Sequence, residues 1–172
     1  MTKKLLDAGA ALAMLRENAL RLTGLAGGAP SEQFHCAPGA GEWSPNEILA
    51  HMRACADVWG GSIARILAED HARFAGTNPR SWMKRTDYLQ WRFEEALRAF
   101  ASQRRELLDA LAALAPDEWE RRATVTAWGQ ANERTLRSYA SQLALHERTH
   151  VGQIEASLKA LGGEPGGLLR SR

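Results

Sequence analysis

Four stretches of this chain repeat apolar residues every three or four positions, and that period decides what it can fold into. Residues spaced in this way share one face of an α-helix. The first stretch, 5–25, carries Leu5, Ala8, Leu12, Leu15, Ala19, Leu22 and Leu25. The second, 43–67, carries Ile48, His51, Cys55, Trp59, Ile63 and Ile66. The third, 87–114, presents Leu89, Phe93, Leu97, Phe100, Leu107, Leu111 and Leu114, and the fourth, 135–161, presents Leu136, Tyr139, Leu143, His146, His150, Ile154 and Leu161. Four such helices bury their stripes by packing on one another, so the expected class is an all-α four-helix bundle.

Local signals punctuate this pattern. Gly27, Gly28 and Pro30 end the first helix, and Ser44-Pro45-Asn46-Glu47 opens the second with a capping serine, a proline in the first turn and a glutamate that completes a capping box. Pro116 closes the third helix. Residues 117–134 show no clear period and read as a loop with a short helical turn, in which 123–127 can be extended; such a loop is long enough to be a lid or pocket wall. The expected domain is a single bundle over 1–161, followed by a Gly- and Pro-rich tail over 162–172 that is expected to be mobile.

Composition narrows the function classes. A chain of 172 residues fits one domain. Its charge of +2 is spread along the sequence, a weak field that implies neither nucleic acid nor an anionic membrane surface as a partner. No stretch has the apolar length of a membrane span. Lys3 and Lys4 precede an Ala- and Leu-rich run, but Asp7, Arg16, Glu17 and Arg21 interrupt it, so it reads as a helix rather than a signal peptide. Cys36 and Cys55 form no CxxC pair or disulfide framework, which fits a reducing compartment and makes the cytoplasm the expected location.

Chemistry enters through histidines on apolar faces. A buried polar group without a partner costs roughly 2–7 kcal/mol, so His51, His146 and His150 each need a hydrogen bond or a metal. Residues four apart share one side of a helix, which lets His146 and His150 hold one ion together, with His51 adding a third bond from a facing helix. Three histidines leave positions open for water or substrate, and imidazole suits zinc, nickel or iron. The competing reading is three core histidines bonded to backbone carbonyls or water. His146-Glu147-Arg148-Thr149-His150 also spells HExxH, the zinc and water-activating motif of metalloproteases, but Gln153 and Ala156 stand where the extended form needs glycine and histidine.

Neighbouring residues have two readings each. Cys55, one turn after His51, is either a small core residue or a thiolate that closes the site. Gln153 and Glu147 flank the histidine pair and either orient a ligand or bound water, or are polar groups at the helix edge. Trp59, Trp128 and Arg122 can wall a pocket, though aromatics at helical spacing are usually core and arginines usually solvated. His35 and His71 sit in or near loops and look incidental. No serine or cysteine nucleophile has a convincing base partner, so covalent catalysis through a side chain is not indicated.

Trp43-Ser44-Pro45-Asn46-Glu47-Ile48-Leu49-Ala50-His51 and His146-Glu147-Arg148-Thr149-His150-Val151-Gly152-Gln153-Ile154 together resemble the two signatures of the DinB-like (DinB/YfiT-like) metal-binding family, and Leu114-Ala115-Pro116-Asp117-Glu118-Trp119 adds a third typical stretch. The resemblance spans most of the chain. It implies an up-and-down four-helix bundle, often a homodimer, with a divalent ion on His51, His146 and His150. It also implies a metal-dependent transferase or isomerase acting on a small-molecule substrate, with a low-molecular-weight thiol such as bacillithiol or mycothiol as a possible cofactor. The alternative is a non-catalytic, stress-related metal-binding dimer. One departure stands out: where the family often has an acidic residue shortly after the second-helix histidine, this chain has Ala54 and Cys55, with Asp57 later.

Overall fold

A computed structural model of the chain describes residues 5–162. The expected tail therefore lies outside the described residues, apart from Gly162, whose φ of +84° closes the last helix in the left-handed conformation. The elements in order are α1 (Ala8–Leu25), α2 (Pro45–Ala68), β1 (Ala72–Ala75), α3 (Pro79–Met83), α4 (Phe93–Ala112), β2 (Arg122–Ala127), β3 (Gln130–Thr135) and α5 (Leu136–Ala160). All four expected long helices form. The third starts later than its spacing indicates, because residues 88–90 make a 3₁₀ turn instead and leave Leu89 exposed.

The start of α2 follows its sequence signal. Glu47 N–H donates to Ser44 Oγ at 3.3 Å, and Ser44 N–H donates to Glu47 Oε2 at 2.8 Å. Two backbone donors that the helix itself cannot satisfy are thus paired. Ser44→Ala is expected to cost about 1 kcal/mol, read as a lower urea midpoint at unchanged slope.

The helices are not arranged up-and-down. Asn46 on α2 donates to the carbonyl of Trp91, just before α4, and further along Asp57 meets Gln103 of α4, so α2 and α4 run the same way. Likewise Leu6 N–H reaches Ser141 and Arg21 pairs with Glu155, so α1 and α5 run the same way as each other. Each parallel pair packs antiparallel to the other: α2 and α4 both lie against α1 or α5, while α1 and α2 face across a diagonal. The family-implied up-and-down order is corrected accordingly. The chain between α2 and α4 is long enough to travel back along the bundle, and the sequence signals do not reveal that return.

The all-α expectation is corrected too. A three-stranded sheet with order β1-β2-β3 closes one end of the bundle, β1 pairing parallel with β2 and β2 antiparallel with β3. Ala72, Ala123 and Val125 turn inward to the core, whereas β3 reads Gln-Ala-Asn-Glu-Arg-Thr and is mostly exposed. A solvated edge strand of polar residues carries no alternation for a sequence reading to detect. Trp128 (φ +48°) and Gly129 (φ +75°) make the hairpin turn, with both residues in the left-handed region that such two-residue turns require.

Two apolar cores fill the bundle. One joins Ala11, Leu15, Ile63, Ile66, Leu111 and Leu143 near the sheet, and the other joins Leu22, Leu49, Met52, Phe93, Phe100 and Ile154 at the opposite end. Between them lies a belt of buried polar side chains: Asn18, His51, Arg104 and Glu147.

Candidate metal centre

Antiparallel α2 and α5 place two i, i+4 pairs face to face in this belt: His51 and Cys55 on one helix, His146 and His150 on the other. The three imidazoles converge. Ring centroids of His51 lie 5.2 Å from His146 and 5.0 Å from His150, and those of His146 and His150 are 4.3 Å apart. The Nε2 atoms of His146 and His150 are 3.2 Å apart. Cys55 Sγ lies 3.5 Å from His51 Nε2, and donor atoms of His51, Cys55 and His146 all fall within 4.8 Å of one another.

Their surroundings favour the neutral form of His51 and His150 and orient the His150 ring. Burial lowers the pKa of His51 to about 4, helped by His150 and by the positive charge of Arg80. Burial also lowers that of His150, partly offset by its hydrogen bond to Gln153. Gln153 Oε1 is 2.7 Å from His150 Nδ1, so Nδ1–H donates and Nε2 keeps its lone pair on the side facing His146. Trp43 and Trp59 stand edge-on to His51 and His146, with centroids 5.4 and 4.9 Å away. Three converging imidazoles, a thiol and an apolar surround are the donor chemistry a divalent transition metal requires.

Glu147 has a different place from the one its motif implies. It is fully buried toward the bundle axis and accepts a hydrogen bond from Arg104, itself 1% exposed, in an ion pair across the diagonal. Burial raises its carboxyl above the ordinary range, and Arg104 pulls it back. It lines neither pocket beside the histidines, so the water-activating role of an HExxH glutamate has no support in this geometry. Cys55 is fully buried, and its thiol is pushed up first by burial and then by Glu147 nearby.

Two pockets meet at His150. One, of about 560 Å³, is lined by Trp43, Ile48, Arg80, His150 and Gln153 among others. The other, of about 810 Å³, is lined by Arg134, Gln142, Leu145, His146 and His150 among others. Of the proposed wall residues, Trp59 touches the site, whereas Trp128 is 95% exposed at the hairpin tip and Arg122 pairs with Glu133 on the strand surface. His35 and His71 lie away from it, in a 3₁₀ turn and at a left-handed turn position. Arg80 went unnoticed in the sequence. Its helix start was readable in Asn78-Pro79, where Asn78 Oδ1 accepts from Arg80 N–H at 2.9 Å, but nothing in that signal places the helix beside His51.

No helix among the described residues is long and apolar enough to cross a membrane. Among solved structures, the chain is similar to YfiT from Bacillus subtilis, described as a probable metal-dependent hydrolase with an unusual four-helix bundle topology; the TM-score is 0.73 at 15% identity, over 95% of this chain and 94% of that one. At that identity the likeness shows the fold, and the parallel α2–α4 pair agrees with an unusual topology. No curated protein matches the sequence. A family model of the DinB superfamily matches residues 14–154, from the second turn of α1 through all three histidines, and the chain belongs to that superfamily.

Proposed function

We propose that this chain is a divalent-metal-dependent enzyme that transfers a low-molecular-weight thiol to, or isomerises, an electrophilic small molecule. The observation that carries the reading is the convergence of His51, His146 and His150 where His150 borders two pockets and His146 lines one of them. These three side chains hold the ion. A divalent ion bound there supplies a Lewis acid that lowers the pKa of a thiol or water beside it. Gln153 fixes the His150 ring, Trp43 and Trp59 keep bulk water from the imidazoles, and Arg80 offers a charged partner to an anionic substrate group. Because His150 borders both pockets, two reactants can reach the site from separate sides, which suits group transfer. Hydrolysis is the second reading, favoured by the description of YfiT, with water as the nucleophile.

Elemental mass spectrometry on untagged protein tests the foundation. The parent is expected to hold about one ion per chain, lost in His51→Ala and in His150→Ala; a parent that takes up no zinc or nickel sinks the reading. Openness is tested separately. Azide or a small thiol added to the cobalt-loaded protein should shift its visible bands, and unchanged bands would indicate a closed site without turnover.

A further inference from the structure

The geometry points to Cys55 as a fourth ligand of the ion, so that the site is a three-nitrogen, one-sulfur set rather than three histidines alone. This inference rests on the metal-binding reading above and adds a donor to it. Zinc bonds of about 2.0 Å to nitrogen and about 2.3 Å to sulfur, at tetrahedral angles, put two nitrogens about 3.3 Å apart and a nitrogen and sulfur about 3.5 Å apart. The observed separations are 3.2 Å between His146 and His150 Nε2, and 3.5 Å between His51 Nε2 and Cys55 Sγ. One edge is drawn from each of the two facing helices. The α5 edge has the length that a shared small ion needs, whereas Cys55 Sγ also lies 3.9 Å from His51 Nδ1, beside the ring, so a side-chain rotation of Cys55 or His51 would carry the sulfur onto the ion.

Placement supports the same conclusion. Cys55 follows His51 by one turn just as His150 follows His146, so the thiol occupies on α2 the position that the second imidazole occupies on α5. It reaches His146 as well as His51, with donor atoms of all three within 4.8 Å. Cys36 is exposed, in contrast. When the Cys55–metal bond forms, the thiol proton leaves to solvent and the sulfur binds as thiolate. Cys55 would then hold the ion together with the three histidines, and a substrate thiol would approach from the pockets beside His146 and His150. A sulfur donor also biases the site toward zinc, cobalt or copper(I) and away from magnesium or manganese. The rival account is a plain S–H···N hydrogen bond from Cys55 to His51.

Cobalt(II) titration of the untagged, metal-free chain separates these accounts, because only a thiolate ligand gives an intense near-ultraviolet sulfur-to-cobalt charge-transfer band. The band is expected in the parent and in Cys36→Ser, and its loss is expected in Cys55→Ser and Cys55→Ala, which still bind cobalt through the histidines and show its weaker visible bands. Circular dichroism confirms that the variants fold, and two replacements guard against one that does not. Cobalt bound by the parent without the band, or a band that survives both Cys55 variants, overturns the inference and leaves the three-histidine reading standing. No cobalt bound by the parent overturns both.

Discussion

Methionine in place of Arg104 is expected to destabilise the bundle by about 3–5 kcal/mol, the usual cost of removing one partner from a buried ion pair. Glu147 has no exposure, and Arg104 is its charged partner. Glu147→Gln is expected to cost as much or more, because the guanidinium left behind cannot shed its proton. Replacing both, as Arg104→Met with Glu147→Leu, should recover most of the loss, since apolar residues of similar volume often substitute for a buried pair without penalty. Urea unfolding at constant slope measures all three. The Arg104→Met variant also carries a pH signature. With the arginine's pull removed, the Glu147 carboxyl titrates higher still in the folded chain than in the unfolded one. The folded state then binds more protons, so the variant loses stability as pH rises above the ordinary carboxylate range. Single-variant losses below about 1 kcal/mol would mean that water reaches the pair and screens it.

Gln153→Ala is expected to weaken metal binding by about 10- to 100-fold while leaving the fold intact. The glutamine side chain sits on the exposed side of α5 and its hydrogen bond is to His150 Nδ1. That bond decides which ring nitrogen carries the proton and which way the lone pair points. Without it the His150 ring is free to flip or change tautomer, and part of the binding energy is spent on fixing it. Competition with a chromophoric chelator gives the affinity, and thermal melts of the metal-free chains should coincide. An affinity within about threefold of the parent would mean that packing against His51 and His146 already sets the ring, and that the glutamine does not act as an orienting group.

The sequence made the helices and the histidines legible because both obey a local rule. An apolar stripe at 3.6-residue spacing needs no knowledge of its partner, and a histidine inside the stripe of residues 48–66 must turn inward with Ile48 and Ile63. Arg104 and Glu147 obey the same rule, yet the sequence marks Glu147 only as a neighbour of the histidines and Arg104 not at all. Arg104 falls between Phe100 and Leu111 on the inward face of α4, and Glu147 between Leu143 and Ile154 on α5, so each was a charged residue at a core position. Reading them as a pair required knowing that α4 and α5 face each other across the bundle. Helix direction was lost for a similar reason: nothing local distinguishes a connection that turns back from one that travels the length of the bundle. The sheet was hidden by composition, because β1 is four residues long and β3 is polar apart from Ala131. Arg80 reaches the site only through the path of the segment between α2 and α4, a tertiary fact with no sequence signal.

The two histidine-bearing helices also set an order of events during synthesis. Half of the proposed donors, His51 and Cys55, lie in the first part of the chain, and the other half arrive only with the last described helix. A ribosome-bound chain that has not yet released α5 presents at most an i, i+4 pair, too few donors to retain an ion against the cell's other ligands. At the proposed site the full donor set exists only once the bundle has closed, and an ion held there would clasp the early and late parts of the polypeptide together. Strand β1 waits in the same way, since its partner β2 is made long after it.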